Sequence, residues 1–103
     1  MSDEPQVIDH PEAEHPWLGL AIDGHTGVLQ YHLEDDRLVL DHTEVPEELG
    51  GQGVGGRLVE AAVSWAEADG LTVVPHCPFA RSWLQNHPDA AARVLVDWPP
   101  ATD

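Results

Sequence analysis

Five glycines stand within seven residues (Gly50, Gly51, Gly53, Gly55 and Gly56), and the only cysteine, Cys77, follows a β-branched run and immediately precedes Pro78. Glycines where an extended segment meets a helix let backbone N–H groups come close to an anion and converge on it. The helix start adds a positive partial charge. A plain turn needs fewer glycines, because each loses more conformational freedom on folding than any other residue. Cys77-Pro78 reads as a helix N-cap followed by a first-turn proline. There the helix dipole favours a thiolate, so Cys77 is a candidate nucleophile or acid. His42, on the strand before the glycines, is a candidate base, since a neutral imidazole can take a proton near neutrality. Each has a structural alternative: a small buried thiol for Cys77, and a strand histidine bonded to backbone for His42.

Two familiar phosphate motifs fit poorly. A Walker A loop ends in Gly-Lys-Ser/Thr, whereas here Gly56-Arg57-Leu58 follows and the chain has no lysine. Gly51, Gly53 and Gly56 do match GxGxxG. That fingerprint expects an acidic residue at the end of the next strand, where Pro75 and His76 stand.

The elements that must carry these residues can be read from periodicity. Residues 17–23, 26–33 and 37–45 are three extended runs with tight turns at Asp23-Gly24 and Glu34-Asp35-Asp36, which predicts an antiparallel meander. Strict alternation puts Leu38, Leu40, His42 and Glu44 on one face of the third run. Val7-Ile8 can add a short first strand. Pro46 ends the extended segment, and from Val54 the apolar residues recur at helical spacing up to Gly70, the expected C′ residue. Residues 71–74 read as a buried strand, making a parallel β-α-β unit with the third run. Residues 79–86 read as a helix stopped by His87-Pro88, and 89–96 as a short helix or edge segment.

The words HTEVP (42–46), GQGVG (51–55), VVPHCPF (73–79) and NHP (86–88) together resemble the GNAT N-acetyltransferase superfamily, and specifically its minimal proteins of the YidJ type. The resemblance spans about residues 6–96, within a single domain over 1–103. It implies an α+β GNAT-like fold: the meander and the parallel β-α-β element in one mixed sheet, with short C-terminal helices. It also implies acetyl-CoA as cosubstrate, transferred to an amine. His42, Thr43, Glu44 and Val45 would line the pantetheine arm. Backbone amides of Gln52, Gly53, Val54, Gly55 and Gly56 would hold the pyrophosphate, with Arg57 as a phosphate partner or a solvated first-turn arginine. The cysteine at the position of Cys77 is the family's leading active-site candidate, as covalent acceptor or as acid. Gly50 replaces the Gln/Arg of the superfamily motif, and the helix over 79–86 lacks the tyrosine that often serves as acid. A non-catalytic acyl-CoA-binding module is therefore the alternative.

Composition narrows the partners. With 19 Asp plus Glu against 4 Arg, the formal net charge is −15, which repels polyanions and argues against nucleic acid. It fits adaptation to high salt, where counterions screen the self-repulsion, and suits a cationic amine acceptor. The 42% apolar fraction is that of a globule. One cysteine excludes an internal disulfide. No run reaches the ~20 apolar residues of a membrane span, and MSDEPQVIDH lacks signal-peptide character, so a cytoplasmic chain is expected. Seven histidines without close paired spacing predict no metal site.

Overall fold

The computed structural model describes residues 6–99. Five strands form one sheet in chain order: β1 (Ile8–His10), β2 (Trp17–Ile22), β3 (His25–Glu34), β4 (Arg37–Glu44) and β5 (Thr72–Pro75). The first four are an antiparallel meander, and β5 joins β4 in parallel. The turns are tight because Asp23 and Asp35 adopt positive φ, a conformation that Asp tolerates better than most residues. A 3-10 turn (Glu47–Leu49) links β4 to α1 (Val54–Asp69). Gly70 closes α1 in the left-handed conformation, as its lack of a Cβ allows. The helices α2 (Pro78–Asn86) and α3 (Pro88–Ala91) follow. Beyond them Val96 bridges Val73 in parallel, so the 89–96 stretch is both a short helix and an edge segment.

The core lies between one sheet face and the helices. Leu18, Leu20, Leu29, Tyr31, Leu38, Leu40 and Val73 meet Val54, Leu58, Val59, Ala62, Val63 and Ala66 of α1, and Ala80 and Leu84 of α2. Burying each large apolar side chain contributes about 1.5–3 kcal/mol. These contacts put α1 and α2 on the same side, and leave the opposite sheet face uncovered across β1–β3.

Strict alternation fails at one place in β4. Tyr31 pairs with Leu40, but Gln30 pairs with His42, so Asp41 is an extra, bulged residue. A bulge shifts the face of every residue beyond it. Leu38 and Leu40 face the helices, and so does Thr43, the partner of core residue Leu29. His42 and Glu44 face the uncovered side with Gln30 and Val28. The expectation that Leu38, Leu40, His42 and Glu44 share a face is thereby corrected.

Candidate functional site

The parallel pairing of β4 and β5 ends at Leu40 opposite Pro75. Past that point β4 continues for four residues with no β5 residue opposite, and the chain after β5 turns away. The turn is fastened by Cys77, whose N–H donates to the Leu40 carbonyl at 2.9 Å. An opening therefore forms between the end of β4 and the start of α2. Pro75 and Pro78 favour it, since neither residue has an N–H to continue a ladder.

Buried beside the opening is the thiol of Cys77. Cys77 is the N-cap of α2, and Pro78 occupies its first turn. Its Sγ lies 3.1 Å from Thr43 Oγ1, and either atom can donate. Cys77 is 2% exposed and belongs to the hydrophobic core. His76, its neighbour, is exposed, as alternation in an extended segment requires. His42 and Glu44 are exposed on the opposite side of β4. The structure thus brings Thr43 and Cys77 together, and separates both from His42 by the thickness of the sheet.

The glycine turn forms the other part of the site. Gly51 and Gly53 have φ of 81° and 72° with open space where a Cβ would project. Gly53 is the N-cap of α1 and offers no capping side chain. The Arg57 N–H is the first to find an intrahelical acceptor, the Gly53 carbonyl. The amides of Gly53, Val54, Gly55 and Gly56 are thus the orphan donors of the helix start. The Gln52 amide already donates to Leu49 O at 3.3 Å. Val45, Gly51, Gly53, Gly55 and Phe79 line a cavity of about 250 Å³ at this helix start.

Two of the glycines serve a purpose that the sequence did not reveal. A Cβ on Gly55 would stand 2.6 Å from the Phe79 ring, and one on Gly56 would stand 2.6 Å from Trp83 Nε1. The aromatic residues of α2, four positions apart on one helix face, press against the glycine steps of α1. Trp83 in turn stacks on His87 at 4.0 Å, and the His87 ring bonds to the Trp83 carbonyl at 2.7 Å. Two adjacent glycines on one helix and two aromatics four apart on the next were too weak a signal in the sequence to pair them. Arg57 is exposed on the first turn of α1.

The one tyrosine is remote in role. Tyr31 is buried, edge-on to Trp65, with its hydroxyl donating to Asp9. Burial first, and the Asp9 carboxylate second, push its phenol far above the usual range. At the bulge, His32 Nδ1 lies 2.7 Å from Asp41 Oδ2, and this hydrogen bond is the main cause that pushes the imidazole up. Among the described residues no group of His, Cys, Asp and Glu is placed to hold a metal. Among the described residues no helix is long and apolar enough to cross a membrane.

A family model described as GCN5-related N-acetyl-transferase matches residues 19–94, from β2 to just past α3. A comparison with curated proteins finds no match.

Proposed function

Because the chain belongs to the GCN5-related N-acetyltransferase family, we propose that it transfers the acetyl group of acetyl-CoA to an amine across the opening between β4 and α2. The observation that carries this reading is the conjunction at one end of the sheet. The orphan amides of Gly53–Gly56 lie on one side of it, and the Thr43–Cys77 pair on the other. The pyrophosphate would sit at the α1 start, where backbone dipoles and Arg57 offset the repulsion of an acidic protein. The pantetheine arm would run along His42–Val45 as an added strand, bringing the thioester to Cys77.

Burial of Cys77 and the outward face of His42 favour direct transfer over an acetyl-enzyme. The neutral amine approaches from the uncovered face, and His42 takes the N–H proton that is lost as the C–N bond forms, passing it on to solvent. The nitrogen lone pair attacks the thioester carbonyl, forming the C–N bond. The tetrahedral intermediate then expels the CoA thiolate as the C–S bond breaks. The Cys77 S–H gives that thiolate its proton, and is itself reprotonated from solvent.

A second reading, a non-catalytic acyl-CoA-binding module, is favoured by one observation: Cys77 packs in the core with its thiol already bonded to Thr43. Two measurements at molar KCl decide. Calorimetry with CoA and acetyl-CoA should give binding, and its absence sinks both readings. Turnover of acetyl-CoA with a panel of amines should exceed the amine-free rate, whereas binding without turnover leaves the module. Intact mass after acetyl-CoA alone should show no adduct; an acetyl group on Cys77 would replace direct transfer by a covalent route.

A further inference from the structure

The bulge in β4 carries a contact on the sheet face away from the helices. His32 stands opposite Val39, and Asp41, the extra residue, follows Val39 by two places. His32 Nδ1 lies 2.7 Å from Asp41 Oδ2, and its Nε2 lies 3.3 Å from Glu34 Oε2. With a carboxylate at each ring nitrogen, the imidazolium form donates to both, and the bond to Asp41 leads the causes that push this imidazole up.

The apolar residues of β4 do not choose where the bulge sits. Tyr31 is opposite Leu40, Gln30 opposite His42 and Leu29 opposite Thr43. Pairing Gln30 with Asp41 instead, and leaving His42 as the extra residue, would keep Leu40 and Thr43 opposite the same partners. Leu38 and Leu40 would stay in the core, and the two residues exchanged are both exposed. The burial that normally fixes a register is therefore equal in the two arrangements. A weak interaction can then decide between them, even an exposed ion pair, which elsewhere contributes little. His32 and Asp41 are such a pair, with side chains 45% and 37% exposed. Were Asp41 itself opposite Gln30, it would be the diagonal neighbour of His32, about 7–8 Å away, a span that a side chain as short as aspartate closes poorly. The bond to Glu34 lies within β3 and is indifferent to the bulge.

We infer that His32 and Asp41 are positioning residues for acetyl transfer: their hydrogen bond selects the bulge that leaves His42, rather than Asp41, opposite Gln30. This rests on the acetyl-transfer reading above, in which His42 takes the proton of the amine. A residue paired in the strand keeps extended backbone and stands upright on the sheet face, whereas the extra residue of a bulge turns toward the helical region and its side chain is re-aimed. The pair thus spends its small energy on direction. His42 keeps the extended conformation beside Gln30, and Asp41 takes the irregular one. Neither positioning residue touches the substrate, and each acts only through the residue that follows Asp41 in β4.

Strand pairing is read by NMR on isotope-labelled protein at molar KCl. Cross-strand proton contacts should join Gln30 to His42 in the wild type. In His32→Gln and Asp41→Ala they should weaken as a second set, from Gln30 to position 41, appears. In turnover with acetyl-CoA and an amine, each substitution should lower kcat about two- to fivefold, the scale of an exposed pair. The KM for acetyl-CoA should stay within about twofold. The double variant should lose no more than either single one, as residues acting through one bond require. Asp41→Asn, which keeps a carbonyl acceptor for the ring N–H, should recover most of the loss. In a His42→Ala background, Asp41→Ala should cost nothing further; an additional loss there, or Gln30 contacts unchanged in both single variants, overturns the inference. The pairing measurement needs no substrate: contacts that move as expected in a protein without turnover would sink the transfer reading and leave the control of the bulge standing.

Discussion

The two helix starts that flank the opening differ in what fastens them. At α2 the Cys77 amide is answered by Leu40, its thiol by Thr43, and the next position is a proline with no N–H to satisfy, so that only the amides of Phe79 and Ala80 precede the first intrahelical bond, from Arg81 to Cys77. At α1 the N-cap is Gly53, without a side chain, and the orphan amides face a cavity. Neither start carries a side-chain cap, which forgoes about 0.5–2 kcal/mol of stability at each. Fastening one start to β4, the closed start, and leaving the other facing a cavity, the open start, separates two tasks at the same end of a sheet: α2 holds a reactive group in position, and α1 waits for an anion. The glycines divide likewise. Gly51 and Gly53 shape the turn through positive φ, whereas Gly55 and Gly56 make room for Phe79 and Trp83, which lock the two helices together.

The sharpest test of this contrast is at the closed start. Cys77→Ala should lower turnover about 10²-fold or more, the scale of a lost general acid, while calorimetry finds CoA affinity within about twofold of wild type. Wild-type turnover in this variant would reduce Cys77 to a packing residue. At the open start, Gly55→Val should cost about 1–3 kcal/mol in denaturant unfolding through overpacking against Phe79, and weaken CoA binding by displacing α2. Adding Phe79→Ala should restore part of both. If it restores neither, Gly55 acts on the ligand directly and the division of the glycines fails. The smallest effect is expected from Thr43→Val, which leaves the thiol without its partner. A stability loss of about 0.5–1.5 kcal/mol and a several-fold drop in kcat should be recovered by Thr43→Ser, whereas the KM for acetyl-CoA should barely move.

Much of this architecture was open to a reader of the sequence. Asp23-Gly24 and Asp35-Asp36 announce the hairpins, Gly70 the end of α1, and Pro78 the start of α2, because turns and caps depend on local backbone conformation. Cys77 at an N-cap and the glycine cluster at a helix start were legible for the same reason. The bulge was not. Nothing in residues 37–44 breaks the alternation, and Asp41 becomes an extra residue only because β3 pairs past it. That single shift put His42 and Cys77 on opposite sides of the sheet and turned Thr43 toward the thiol.

What the sequence determined by itself was therefore the list of elements and the chemical types at their junctions, since propensity, capping and charge act over a few neighbouring residues. Tertiary structure alone decided which of those types meet. Strand register, the divergence of β5 from β4, and the aromatic rings seated on Gly55 and Gly56 all depend on pairs far apart in the chain. Only packing of the helices on one face of the sheet chooses among the partners that local rules allow.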